Sequence, residues 1–247
     1  MQFISCHDGK LQTLASAGLK TGSTQPFSTG LAALDEFAPG GAFARGAVHE
    51  LLFEARHGRP MVVAAVMARG SSSPSSCLDV SDPSCLLPVI WSDPRGDLYP
   101  PGLAGIGFDL SRTYLLRTNN EADEMWAVAE CLRCRGVGAV VAAPGKISRI
   151  EARRFQLAAE RGGSVGILLR QTGRGDSIYA AATRWKVSPY PGERTIQRWT
   201  IQLLHGHGGR IGQSVILEWC RENNSVRAVE KFFDRPATTT TAARATA

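Results

Sequence analysis

Cys131-x-x-Cys134 has the two-residue gap of a zinc or thiol-redox pair. It stands in a helical pattern with no second pair and no nearby His, so neither a metal site nor a redox motif is expected. The remaining cysteines are irregularly spaced, which fits reduced thiols and not a disulfide framework. A loop that closes on phosphate has the form G-x-x-x-x-G-K-[ST]: the glycines let backbone N–H groups converge, the Lys reaches the outer phosphates and the hydroxyl holds magnesium. The pairs Gly9-Lys10-Leu11 and Gly145-Lys146-Ile147 lack that hydroxyl. A third set is cationic. Arg149, Arg153 and Arg154 fall near one face of a predicted helix that also carries Arg161, with Arg170 and Arg174 at the end of the next strand. Such a stripe is either a solvated helix face or a surface for phosphates or a protein partner.

The elements that must position these residues are legible as an alternation. Gly46-Ala-Val-His-Glu-Leu-Leu-Phe53 reads as a buried strand, and Arg59 to Arg69 as a helix in whose first turn Pro60 costs nothing, since its missing N–H would be unpaired there. A linker-like stretch from Gly70 to Pro83 precedes a strand over Cys85 to Trp91. Thr113-Tyr-Leu-Leu116 is a short strand. A helix then starts near Asn119 or Asn120, placing Met125, Val128, Ala129 and Leu132 on one face. Gly138-Ala-Val-Val-Ala-Ala143 is apolar without alternation, as strands covered on both faces are. Ser148-x-x-Glu151 has the capping-box spacing, Gly162-Gly163 ends that helix, and Ser164 to Leu169 is the next strand.

This order predicts right-handed crossovers and an α/β fold, a mainly parallel sheet flanked by helices. Beyond it, Thr183 to Ser188, Gln197 to Leu204, Ser214 to Trp219 and Ser225 to Val229 alternate apolar and polar residues, and should extend the same sheet as antiparallel strands on its C-terminal side. Trp185, Trp199 and Trp219 lie in these strands and are expected in the core and not as stacking platforms for bases. Residues 1–26 are expected to form a loosely attached N-terminal helical segment, residues 27–235 the main domain, and the Thr- and Ala-rich residues 236–247 a disordered tail.

The chain has 247 residues, of which 43% are apolar and 20% charged, enough to bury a full core. No apolar run approaches a membrane span. Met1 to Lys10 lack the basic start and apolar stretch of a secretory signal, so a cytoplasmic protein is expected. A net charge of +6 is compatible with a nucleic-acid partner but does not establish one.

Ser28-Thr-Gly30, Leu34-Asp35, Gly40-Gly41, Gly46 and Val48-His-Glu50, in one order and at these separations, resemble the entry to the RecA ATPase core. The segment from Ser148 to Gln171, with Arg184-Trp-x-Val and the Trp219 strand, looks specifically like the ImuA family, RecA-like accessory proteins of mutagenesis cassettes. The resemblance covers residues 27 to about 230. It puts the phosphate loop at Phe53-Glu-Ala-Arg-His-Gly58-Arg59-Pro60, where only Gly58 fits the motif. Phe53 has a Cβ where glycine is needed, Arg59 replaces Lys, and Pro60 offers neither hydroxyl nor N–H. Ala and Pro follow Gly138-Ala-Val-Val-Ala where the family's metal-handling Asp would stand. Asp93 sits near the place of the RecA glutamate that polarises water, in a segment that is equally a plain turn, and Gln171 falls at the nucleotide-sensing glutamine, where it is read as a polar strand cap.

The resemblance therefore implies a RecA-like core without bound nucleotide, metal or catalytic residues. It implies a non-catalytic role in DNA-damage-induced translesion synthesis and SOS mutagenesis. The partners implied are an ImuB-type Y-family polymerase homologue, an error-prone polymerase alpha subunit and RecA, in the cytoplasm and at the nucleoid. The loop Thr172 to Ser177 is short where RecA has a long DNA-binding loop, so DNA contact is expected to be weak, sequence-independent and salt-sensitive. Two other readings stay open: a divergent DNA-dependent ATPase or recombinase binding nucleotide through Arg59 and Arg56, and a SulA-like cell-division inhibitor.

Overall fold

The computed structural model of the chain describes residues 25–73, 86–173 and 180–233, with backbone alone for the strands at 5–7 and 10–12 and for 230–233. Strand β1 (Ser5–His7) pairs antiparallel with β2 (Lys10–Gln12). A strand pair therefore stands where the sequence pattern points to the start of a helix, because amphipathic spacing around Leu11 fits either period over so few residues. The rest of that expected helix up to residue 24, most of the linker, Arg174 and the expected tail lie outside the described residues.

After the short helix α1 (Ala32–Asp35) come β3 (Ala47–Phe53), α2 (Met61–Ser72), β4 (Val89–Ser92), α3 (Pro100–Gly105), β5 (Thr113–Leu116), α4 (Glu121–Arg133), β6 (Ala139–Ala142), α5 (Arg149–Gly162) and β7 (Val165–Gln171). Four long strands follow: β8 (Thr183–Tyr190), β9 (Ile196–Gly206), β10 (Gln213–Cys220) and β11 (Val226–Phe233). The main sheet has nine strands in the order β11-β10-β9-β8-β3-β7-β6-β4-β5. From β8 to β5 every pairing is parallel, and from β8 outward to β11 every pairing is antiparallel. This is the expected α/β architecture, consistent with a RecA-like core.

Local chemistry accounts for the boundaries. All seven residues of β3 are buried, as a strand covered on both faces requires. Asn120 caps α4 by accepting the Asp123 N–H at 2.8 Å. The capping box of α5 is complete: Ser148 Oγ accepts the Glu151 N–H at 3.2 Å, and the Glu151 carboxylate accepts the Ser148 N–H at 2.7 Å. Those two bonds, the backbone one first, hold the Glu151 carboxyl below the usual glutamate range. Gly163 closes the helix at φ 68°. Helix α2 begins after Pro60, which is its N-cap and not its first residue, and runs on through Ser72 into what reads as linker. Helix α3 is invisible in its Pro- and Gly-rich sequence.

One face of the sheet packs on α2. Val63, Val66 and Met67 meet Leu51, Trp91, Val141, Ile167 and Trp185 there. The other face packs on α4 and α5, with Val128, Leu132, Phe155 and Ala159 over Val48, Val140 and Leu168. The second layer closes tightly, since a Cβ on Gly162 would stand 2.1 Å from the Leu132 carbonyl oxygen. Trp185 is fully buried and Trp199 packs partly buried on the first core, while Trp219 is half-buried with the Arg221 guanidinium 5.8 Å over its ring.

Candidate functional site

Open α/β sheets bind ligands outside the carboxyl ends of their strands. The positions singled out by the resemblance meet at that end. Phe53 closes β3, and the parallel register sets Gln171 of β7 beside it. Asp93 follows β4, and Ala143-Pro144 follows β6.

The loop after β3 is folded on itself. Ala55 to His57 form one 3₁₀ turn in which the His57 N–H donates to the Glu54 carbonyl at 2.9 Å and the Gly58 N–H to the Ala55 carbonyl at 3.3 Å. The Met61 N–H donates to the Arg59 carbonyl at 2.9 Å, and Pro60 has no N–H at all. Three N–H groups at the turn, those of His57, Gly58 and Met61, are thus committed inside the loop. Gly58 keeps a positive φ of 71°. Arg56 pairs with Glu54 at 2.9 Å and half-buried Arg59 with exposed Asp97 at 3.6 Å, and such solvent-reached pairs add little stability.

Asp93 is buried and serves its own turn. One carboxylate oxygen accepts the N–H groups of Asp97 at 3.0 Å and Leu98 at 3.3 Å, and the other faces Arg117 at 3.5 Å. The Gly96 N–H closes the turn onto the Asp93 carbonyl at 3.2 Å. Magnesium-ATP titrated into the protein is accordingly expected to give no heat beyond dilution. Arg59→Lys should change nothing, because Pro60 and the internal hydrogen bonds remain. Micromolar, magnesium-dependent binding in the calorimeter would revive the ATPase reading.

The remaining motif residues turn out to hold the core together. Asp35 is buried and accepts from Ser28 Oγ at 2.6 Å, Thr29 N–H at 2.9 Å and Thr29 Oγ1 at 2.7 Å, which fixes the Ser-Thr-Gly turn. Helix α2 crosses that turn so closely that a Cβ on Gly70 would lie 2.3 Å from the Ser28 carbonyl oxygen. His49 is fully buried between α2's face of the sheet and the rings of Phe27 and Phe43. Its Nε2 lies 2.9 Å from the Ala44 carbonyl, which can only accept, so Nε2 carries the proton. Its Nδ1 then accepts from the Thr183 hydroxyl at 2.7 Å, and that hydroxyl accepts from Trp185 Nε1–H at 2.7 Å. Burial pushes the imidazole down to about 4.

Glu50 is the centre of a group that sequence reasoning missed. Its two oxygens take Arg170 Nη1 of β7 at 3.0 Å and Arg184 Nε of β8 at 2.9 Å, and all three side chains are buried. Arg170 therefore does not belong to the surface stripe in which the sequence places it. The only signal available was the strand pattern itself, which puts an Arg at a covered position of β7. A second Arg–Glu–Arg set, Arg198 and Arg227 around buried Glu218, spans β9 to β11, and the hydrogen bonds from those arginines hold the Glu218 carboxyl low against the desolvation that raises it.

Arg149, Arg153, Arg154 and Arg161 do stand together on the exposed side of α5. Cys131 and Cys134 are buried thiols, and no cluster of metal-binding side chains occurs among the described residues. No described helix is long and apolar enough to cross a membrane.

No family model matches the chain. Protein ImuA from Caulobacter vibrioides (strain NA1000 / CB15N) is 28% identical over 216 residues, covering 79% of this chain and 84% of that protein. The same figures hold for Protein ImuA of strain ATCC 19089 / CIP 103742 / CB 15. This match supports membership of the ImuA family. The chain thus combines a nine-stranded mixed sheet, consistent with a RecA-like core, with a loop after β3 that bonds partly to itself. Within this ImuA-like core the motif residues Asp35, His49 and Glu50 are structural.

Proposed function

We propose that this chain is a non-catalytic RecA-like accessory protein in error-prone translesion synthesis induced by DNA damage. In this reading it acts through protein contacts with an ImuB-type Y-family polymerase homologue, an error-prone polymerase alpha subunit and RecA, in the cytoplasm and at the nucleoid. The observation that carries the reading is the likeness to Protein ImuA over most of both chains. The loop after β3 supports the absence of ATP hydrolysis, because its His57 and Gly58 N–H groups bond carbonyls within the loop and Pro60 has no N–H to offer a triphosphate. DNA contact, where it occurs, rests on arginine–phosphate attraction and weakens steeply with salt.

Affinity purification of the tagged chain from cells treated with a DNA-damaging agent tests this. Recovery of the polymerase-cassette proteins is expected, at levels unchanged by adding or depleting ATP. Recovery of division proteins alone would replace the reading with that of a cell-division inhibitor.

A further inference from the structure

The outer face of α5 carries a pattern that the loop after β3 does not explain. Ile150 and Leu157 stand two helical turns apart on the solvent side, Ile150 being 82% exposed and Leu157 36%. Together with Ala158 they form the apolar part of a groove along α5. Guanidinium groups surround it, Arg133 from α4 and Arg149, Arg153, Arg154 and Arg161 from α5. Arg133 is held by Glu130 at 2.9 Å, whereas the four from α5 make no ion pair with another described residue. The acids nearby are engaged elsewhere: Glu151 in the capping box and Glu160 with Gln156 at 3.0 Å.

A nucleic-acid backbone would use the arginines alone. It gains nothing from two aliphatic side chains set among them, and the groove has no aromatic ring on which a base could stack. A peptide that is apolar along one stripe and acidic beside it uses every feature present. Its anchors cover Ile150 and Leu157, and its carboxylates meet guanidinium forks built for planar, two-point recognition. We propose that the α4–α5 groove is the docking site for an acidic amphipathic segment of a protein partner. The proposal rests on the reading of this chain as a protein-contact module, and not on which cassette protein supplies the segment.

A displayed library of random peptides of about 14 residues, selected on the full chain, tests it. Enriched peptides should combine Leu, Ile or Phe at one-turn spacing with Asp and Glu. The selected peptide, labelled for fluorescence anisotropy, should lose about tenfold in affinity both for Arg153→Glu/Arg154→Glu and for Ile150→Ala/Leu157→Ala. All four positions are exposed on α5, so the variants should fold, and circular dichroism checks that. A basic or non-apolar consensus, no enrichment at all, or equal binding by both double variants would overturn the proposal. So would a single-stranded oligothymidine that binds this face with losses only in the arginine variant, which would make the stripe a nucleic-acid surface. The same variants in the affinity purification separate the two ideas. Cassette proteins recovered by the parent, with no selected peptide that responds to these variants, sink the groove alone; peptide binding that the variants lose, with no cassette protein recovered even by the parent, sinks the cassette reading alone.

Discussion

Replacing Glu50 by Ala is expected to destabilise the fold by about 3–5 kcal/mol, because it removes the buried carboxylate that the Arg170 and Arg184 guanidinium groups share. Against a typical stability of roughly 5–15 kcal/mol, that is enough to leave the variant partly unfolded at physiological temperature. Arg170→Ala and Arg184→Ala should each cost less, since Glu50 keeps one partner in either case. The set as a whole is a different matter. Two buried charges of one sign around one of the other are expensive to desolvate, so converting Glu50, Arg170 and Arg184 together to Leu should recover most of the loss. Urea unfolding of the parent, the single variants and the triple variant measures the order. A Glu50→Ala cost no larger than that of Arg170→Ala would show that the three do not act as one unit.

Acidification is expected to weaken the fold through His49. In the unfolded chain the imidazole takes up its proton near pH 6.5, whereas in the folded protein it resists until about 4. Between those limits the unfolded state binds the extra proton, so this contribution is complete above about pH 6.5 and is lost as the pH falls through about 4. At about 1.4 kcal/mol per unit the loss amounts to roughly 3 kcal/mol. Protonation also has a structural cost: the Thr183 hydroxyl proton that now points at Nδ1 would meet the new N–H and has to turn away. Denaturation midpoints at pH 7.5 and pH 4.5 should therefore differ more for the parent than for His49→Gln, which does not titrate. Equal pH dependence in the two would place the acid sensitivity in other groups.

How much of this was legible in the sequence depends on how local the physics is. The capping box at Ser148 and Glu151, the cap at Asn120 and the unbroken apolar run of β6 are decided by neighbours within a few residues, and each can be read directly. The pairing of Glu50 with Arg170 and Arg184 is decided by sheet order, and the apolar run before Arg170 marks a covered position without indicating its partner. The same holds for Gly70 and Gly162, whose need for a missing Cβ arises from elements that meet them across the fold. At the candidate site the substitutions in the loop were plain, but the commitment of its N–H groups to its own carbonyls depends on the backbone path. The arginine stripe was visible, and the apolar residues that turn it into a groove were not, because Ile150 and Leu157 match the helix pattern of any half-buried face.

The position of β3 in the sheet bears on how the protein emerges from the ribosome. Its neighbours are β7 and β8, and Glu50 precedes its partner Arg170 by 120 residues. At about 5–20 residues per second, synthesis of that interval takes on the order of ten seconds. Throughout that delay a strand buried along its whole length in the finished molecule is an unsatisfied edge, carrying Leu51, Leu52 and Phe53 without either of its neighbours. Nascent chains truncated before β7 should thus be bound by holdase chaperones and cleaved readily by protease, and the protection should arrive in one step once residues through β8 have cleared the exit tunnel.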